Sequence, residues 1–200
     1  QATVSAVSNA LLAEGISQAV INSKLKFVQT TFDSIWFIDS GPLPLVDDAS
    51  GTFAFTDFRY YHPRAYDDGV PTLLGRVLPQ IGVGNEAITY RMPLNTEGGT
   101  FQATSDGICF TGSRQLYYMT CDDGSCDNSI ESQSLASLQS HPKAVEVREI
   151  WAEYAGCKDT IITYSITDDG TGHIDMYMKV AADDQVIMGY YPTPYQNSAQ

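Results

Sequence analysis

The sequence predicts a single α/β or α+β domain in which short strands are mixed with short helices. Strand-like and helix-like patterns alternate along all 200 residues, and no linker or low-complexity segment separates them. The clearest pattern lies at residues 174–180, where apolar and polar residues alternate without a miss. A chain of this length is large enough to bury one core, so we expect one domain spanning residues 1–200.

The first half of the chain is predicted to contain three helices and four strands. Residues 4–12 and 16–25 have apolar residues at helical spacing, and residues 72–77 predict a short helix that ends near Pro79. Apolar and aromatic segments predict strands at residues 26–29, 34–38, 52–61 and 87–92. The polar segment 62–71, with two prolines, predicts a loop.

The second half is predicted to contain one longer helix and several strands. Residues 129–140 have helical spacing with Ile130, Leu135 and Leu138 facing inward, and Pro142 follows the helix end. Strands are predicted at residues 101–104, 107–111, 145–151, 160–165, 173–180 and 185–190, the first two as a hairpin.

Acidic residues dominate the charge of the chain. It contains 24 Asp and Glu against 11 Lys and Arg, a formal net charge of −13. This balance argues against nucleic acid or an anionic membrane as a partner and fits cationic ligands, although solubility alone also explains it. No apolar run approaches the roughly 20 residues that a membrane-spanning helix needs.

Four cysteines suggest an exported protein. Cys121 and Cys126 bracket a tight polar loop whose ends can close into a disulfide. Cys109 and Cys157 can form a second one, although their spacing does not decide the pairing. The chain starts at Gln1 without a basic, apolar leader, so we expect a processed form that is secreted or extracytoplasmic.

Four side chains that bind cations or transfer protons each lie at a glycine-flanked end of a strand-like segment: Asp39, Glu97, His173 and Asp175. Strand ends present functional groups, and small neighbours let a ligand approach the backbone. Three carboxylates and one imidazole suit a planar cation with several N–H donors, namely a guanidinium. Each residue taken alone is explained by an ordinary turn or surface pair, so the prediction depends on their joint presence.

The acidic loop at residues 122–125 is the one other cation-binding candidate. Its clustered oxygens suit a calcium ion, but we interpret it as a solvated turn. The spacing of histidines and cysteines matches no transition-metal site, and we predict no catalytic metal and no cofactor.

Four short motifs resemble one known family. The segments IWFIDSGP (residues 35–42), TEGG (96–99) and GHID (172–175) stand in the order seen in guanidino-group-modifying enzymes, especially agmatine deiminases and bacterial-type peptidyl-arginine deiminases. The loop YHPRAYDD (61–68) is most similar to the peptidyl-arginine deiminase branch. The resemblance runs over residues 16–189 and implies a pentein fold, an α/β propeller of five modules, of which this chain would hold about three.

The resemblance also implies a reaction and a role for each residue. A family cysteine attacks the guanidinium of arginine, which is hydrolysed to citrulline and ammonia. Asp39 and Asp175 would hold the guanidinium nitrogens. His173 would protonate the departing ammonia and then activate water, and Glu97 would orient or charge that histidine.

The resemblance implies three further substrate-binding residues. Trp36, three residues before Asp39, would lie against the apolar stem of the substrate. Arg64 stands where the peptidyl branch has an arginine that holds a substrate carboxylate, and His62 stands where some members have a second one. The chain departs from the family at Ile38, because an arginine usually precedes the aspartate.

The family nucleophile has no counterpart in this sequence. It comes from a glycine-rich segment near the C-terminus, more than a module beyond the His-x-Asp motif, and none of the four cysteines lies in such a context. We therefore expect a second polypeptide, cut from the same precursor near residues 190–200, to complete the fold and supply the cysteine. The alternatives are a non-catalytic module that binds arginine or guanidinium ligands and, among enzymes, an agmatine deiminase.

Overall fold

The computed structural model describes residues 2–47, 49–61, 63–82, 87–166 and 169–189. The helices within these ranges are α1 (Ala2–Ala13), α2 (Gln18–Lys24), α3 (Phe37–Ser40), α4 (Ala65–Asp68), α5 (Val70–Val77), α6 (Arg114–Asp122), α7 (Leu135–Ser140) and α8 (Pro142–Ala155). The strands are β1 (Leu43–Val46), β2 (Phe53–Arg59), β3 (Ile88–Asn95), β4 (Phe101–Ala103), β5 (Ile108–Gly112), β6 (Asp159–Thr163), β7 (Met178–Ala182) and β8 (Gln185–Met188). The predicted mixed α/β class is therefore confirmed.

Two three-stranded sheets share one topology. In the first, β1 pairs antiparallel with β2, which pairs parallel with β3. The second repeats this order with β4, β5 and β6. Each parallel pair is joined by a helical crossover, as parallel pairing requires, through α4 and α5 in the first sheet and α6 to α8 in the second. A third sheet is the antiparallel hairpin β7–β8.

The core lies between α8 and the sheets. Trp151 of α8 is fully buried and stacks on Phe101 of β4 with ring centroids 4.1 Å apart. Met92, Leu94 and Ile162 from β3 and β6 complete this apolar layer. Two disulfides are present: Cys109 of β5 binds Cys157, which follows α8, and Cys121 binds Cys126. None of the described helices is long and apolar enough to cross a membrane.

Residues 145–151 do not form the predicted strand. They lie inside α8, whose buried residues Ala144, Val147 and Trp151 are spaced by three and four positions. Pro142 follows a helix end at Ser140, as predicted, and it also opens α8, a favoured position because proline lacks the N–H that a first turn leaves unbonded. Val145 is apolar but 59% exposed, so not every apolar residue of this segment faces the core.

The predicted strand at residues 34–38 is also wrong. Its last two residues begin the short helix α3 instead. The helix predicted at residues 129–140 is two elements, a 3-10 turn at Asn128–Ser132 and α7, because Ser134 caps a new helix by accepting a hydrogen bond from the Ser137 N–H. Residues 26–29 have no regular structure.

The strand predicted at residues 173–180 begins only at Met178. Before it the chain turns, and the N–H of Met178 donates to the carbonyl of Ile174 at 2.8 Å. Ile174 and Met178 are buried, but Met176 is 61% exposed, so the alternating pattern did not correspond to one buried face. The residues that carry His173 and Asp175 therefore form a turn ahead of the strand.

Candidate active site

The four predicted residues come together from three separate parts of the chain. Asp39 lies in α3, Glu97 lies in the connection from β3 to β4, and His173 and Asp175 lie in the turn before β7. All four line one cavity of about 820 Å³. Glu97 and His173 are 76 residues apart in the sequence, so their meeting depends on the tertiary fold.

His173 is the centre of this group. Its Nε2 atom lies 3.1 Å from Oε2 of Glu97 and 3.8 Å from Oδ1 of Asp39. On the opposite side of the ring, Nδ1 lies 4.0 Å from Oδ1 of Asp175. An imidazole with carboxylates at both ring nitrogens can hold or release a proton beside a cationic ligand.

Glu97 is held by a neighbour that the sequence analysis missed. The Glu97 residue is only 4% exposed, and the hydroxyl of Tyr61 donates a hydrogen bond to its Oε1 atom at 2.5 Å. Burial, together with the Glu97 carboxylate, raises the pKa of Tyr61, so the hydroxyl stays protonated and keeps donating. Glu97 therefore has one oxygen bound to Tyr61 and the other facing His173.

Asp169 holds the segment that carries His173, and it was also missed. Its Oδ2 atom accepts the N–H groups of Gly172 at 2.8 Å and His173 at 3.1 Å. Its burial would raise the pKa of Asp169, but these bonds and that from Thr171 outweigh it and lower the pKa. The signal in the sequence was an aspartate just before a Gly-Thr-Gly turn, a pattern typical of side chains that bond nearby backbone N–H groups.

The electrostatics of the site favour a protonated histidine. Burial works against the charged imidazolium, but the hydrogen bond and negative charge of Glu97, with smaller effects of Asp39 and Asp175, raise the pKa of His173. Burial raises the pKa of Asp39, an effect that the positive charge of His173 opposes. His173 can therefore act as a proton donor near neutral pH.

The cavity has an apolar wall and a basic residue. Trp36 lines it and is 55% exposed, next to Ile35 and Ile38. Arg64 lines it too, and its guanidinium donates to the Tyr60 hydroxyl at 2.7 Å. The predicted substrate-binding residue His62 lies outside the described residues.

The family model for Porphyromonas-type peptidyl-arginine deiminases matches residues 2–200. The chain belongs to this family. No curated protein sequence matches it.

Solved deiminase structures resemble this member of the family in fold. The agmatine deiminase of Enterococcus faecalis has a TM-score of 0.62 and 17% identity, with 92% of this chain and 50% of that chain covered. The C. jejuni agmatine deiminase has a TM-score of 0.53 and 16% identity, with 85% of this chain and 45% of that chain covered. The chain thus spans about half the length of the structures that it matches.

The cysteines of this family member are all bonded to one another. Cys109 pairs with Cys157 and Cys121 with Cys126, which leaves no free thiol among the four. None of them lines the cavity that contains His173. A disulfide sulfur is not a thiolate, so these cysteines cannot act as the nucleophile in this state.

The same cluster also has a spacing that would suit a metal ion. One ligand atom each of Asp39, Glu97 and His173 lie within 4.8 Å of one another. Such spacing also suits a guanidinium, whose N–H donors bond several carboxylates. In the acidic loop, Asp122 lies 3.6 Å from Arg59, and Asp123 lies 2.6 Å from Lys143, which supports the interpretation as a solvated turn.

Proposed function

We propose that this chain forms the guanidinium-binding and proton-transferring part of a peptidyl-arginine deiminase, which converts arginine residues of peptides or proteins to citrulline and ammonia. The observation that carries the proposal is the convergence of Asp39, Glu97 and Asp175 on His173 at one cavity. Family membership adds the reaction type.

In this proposal Asp39 and Asp175 accept hydrogen bonds from the guanidinium nitrogens. Charge-assisted bonds of this kind are stronger than neutral ones and fix the plane of the ligand. Trp36 covers the methylene stem, because an exposed aromatic face beside the cavity suits an apolar chain that ends in a cation. The guanidinium carbon is then presented to a nucleophile.

The reaction needs one proton donor and one base, and His173 serves as both. A cysteine thiolate bonds to the guanidinium carbon, the His173 imidazolium gives its proton to one terminal nitrogen, and ammonia leaves. Neutral His173 then takes a proton from water as its oxygen attacks the thiouronium carbon. Collapse expels the thiolate, the hydroxyl proton passes to the released ammonia or to water, and the ureido group of citrulline remains. Glu97 favours the protonated histidine that the first step requires.

The nucleophile comes from protein outside these 200 residues. We propose a second polypeptide, which also completes a five-module propeller of which this chain holds about three modules. The paired state of all four cysteines supports a nucleophile from outside these residues. The two disulfides support a secreted or extracytoplasmic location, where thiols are oxidised.

The substrate preference depends on Arg64. Its guanidinium at the cavity wall would attract the carboxylate of a C-terminal arginine and repel the amine of agmatine. We therefore propose peptides over agmatine as substrates. His62, two residues before Arg64 in the sequence, remains a predicted second contact for the carboxylate.

Purified native material tests the enzyme proposal directly. Intact-mass analysis should find a second polypeptide with a cysteine, and the complex should release citrulline from a peptide with C-terminal arginine faster than it hydrolyses agmatine. His173→Ala should remove citrulline release, because the proton donor is lost. His141→Ala is the matched control, since His141 caps α8 and does not line the cavity.

The second candidate function is a non-catalytic module that binds arginine or guanidinium ligands, and the absence of a free thiol among the four cysteines favours it. If intact-mass analysis of the native material finds no second polypeptide, and this material binds guanidinium ligands without releasing citrulline, the non-catalytic candidate is supported and the enzyme is excluded.

A further inference from the structure

Gly98 lies against the backbone that leads into Asp39. A Cβ atom added to Gly98 would lie 2.0 Å from the carbonyl oxygen of Ile38, the residue before Asp39. Such a distance is impossible for a real side chain, and the neighbour here is backbone rather than a flexible side-chain end. The short helix α3 that carries Asp39 can therefore approach Glu97 this closely only beside a glycine.

Gly99 lies against the ring of His173. An added Cβ atom would lie 2.6 Å from Nδ1, 2.7 Å from Cγ and 2.9 Å from Cε1 of the imidazole. The carbonyl oxygen of Gly99 also accepts the N–H groups of Ile174 at 2.9 Å and Asp175 at 3.2 Å. One residue thus contacts the histidine ring and holds the backbone on its C-terminal side.

Space, not backbone conformation, accounts for glycine at these two positions. Neither Gly98 nor Gly99 has a left-handed φ angle, so an alanine would fit the local backbone. The turn is closed by Thr100, whose N–H donates to the carbonyl of Glu97 at 3.0 Å and whose hydroxyl contacts the Thr96 hydroxyl at 2.6 Å. These two bonds fix the turn next to Glu97.

We propose that the Gly98–Gly99 turn is the positioning element of the site and sets the distances among Asp39, Glu97 and His173. Gly98 determines how closely the Asp39 backbone approaches, and Gly99 determines where the imidazole stands and anchors the N–H of Asp175. The proposal rests on the proposed deiminase function for its catalytic meaning. The distances among the three side chains, in contrast, do not depend on the reaction that the site performs.

Gly99→Ala tests the His173 side of the proposal. The added methyl should displace the imidazole from Glu97, so an NMR titration of the complete protein should show the pKa of His173 falling toward the ordinary histidine value. In the complete enzyme, kcat should fall by about 100-fold, the effect expected of a misplacement of about 1 Å. Gly69→Ala is the matched control, because its added Cβ meets no atom closer than 3.5 Å, its φ of −83° is not left-handed, and Gly69 does not line the cavity.

Gly98→Ala tests the Asp39 side separately. It should move Asp39 outward and let the pKa of its carboxyl fall toward the ordinary value, while His173 keeps most of its raised pKa from Glu97. If Gly99→Ala does not fold, Gly98→Ala alone tests whether the Gly98–Gly99 turn positions the site. A purely structural turn would instead lower thermal stability without changing either pKa.

Two results would overturn the proposal: folded variants in which both pKa values stay as in the wild type, or loss of folding in both variants, which would make the glycines necessary for folding instead. Failure of the deiminase function is distinguishable, because a complete wild-type preparation would then release no citrulline while the two pKa changes still appeared.

Discussion

At the scale of single residues, Glu97 determines the protonation of the site. It is buried between the Tyr61 hydroxyl and the His173 ring, so each of its oxygens has a partner. A buried carboxylate without partners would be costly, and here both partners are also part of the cavity wall. The Glu97 carboxylate is therefore held by Tyr61 and faces His173.

Glu97→Gln should lower the pKa of His173, because the amide keeps the shape but removes the charge. In the wild type the folded-state pKa lies above the ordinary value of about 6.5. The stabilisation from protonated His173 is therefore complete below about pH 6.5 and is lost as the pH rises through the raised pKa. An NMR titration of the ring should show the midpoint at lower pH in the variant, and loss of activity at alkaline pH should begin earlier.

Glu146→Gln is the matched control, because Glu146 pairs with Lys143 on the exposed side of α8. If the His173 midpoint is the same in Glu97→Gln as in the wild type, the electrostatic role of Glu97 is refuted.

At the scale of elements, the functional groups lie on short irregular segments between regular ones. Asp39 lies in a four-residue helix, Glu97 precedes a 3-10 turn, and His173 lies before the start of β7. Such segments need external support because they contain few backbone bonds of their own. Asp169 and the turn at Gly99 supply it through bonds to backbone N–H groups.

The two disulfides should contribute unequally to stability. Cys109–Cys157 closes a sequence separation of 48 residues, against 5 for Cys121–Cys126, and a longer closed loop restricts the unfolded chain more. Replacing both Cys109 and Cys157 by serine should lower the free energy of unfolding by about 2–4 kcal/mol, measured by urea denaturation. The matched double serine variant of Cys121 and Cys126 should lose less, and an equal or larger loss there would contradict the argument.

At the scale of the whole molecule, the net charge of the chain and the charges that line the cavity favour the same kind of ligand. The chain has a net charge of −13, and four carboxylates line the cavity, so the long-range field and the local site both favour a cationic ligand. Arg64 is the local exception, and it lies where a substrate carboxylate would approach.

The affinity for an arginine peptide should therefore weaken as ionic strength rises. Salt screens the long-range part of the attraction, since the screening length falls from about 10 Å at 0.1 M to about 3 Å at 1 M. The dissociation constant of the peptide, measured by calorimetry at low and high salt, should increase. The uncharged citrulline peptide is the control, and a salt-independent constant for the arginine peptide would contradict the expectation.

Local patterns in the sequence were sufficient for several elements. The strand β2 lies where an aromatic segment predicted it, the hairpin β4–β5 where turn residues did, and the helix α5 in the segment predicted to end near Pro79. The segment 145–151 was mispredicted because its apolar residues match both strand and helix periodicity. Packing against the sheets decides between the two, and a single segment does not contain that information.

Part of the candidate site was also predictable from the sequence, and part became visible only in the fold. Residue type and glycine neighbours singled out Asp39, Glu97, His173 and Asp175, because chemistry and turn-forming composition are local properties of a chain. Tyr61, Asp169 and the close packing of Gly99 on the His173 ring became visible only in the folded chain. Their roles are contacts between residues distant in sequence, such as Glu97 and His173, 76 positions apart, and the fold sets such distances.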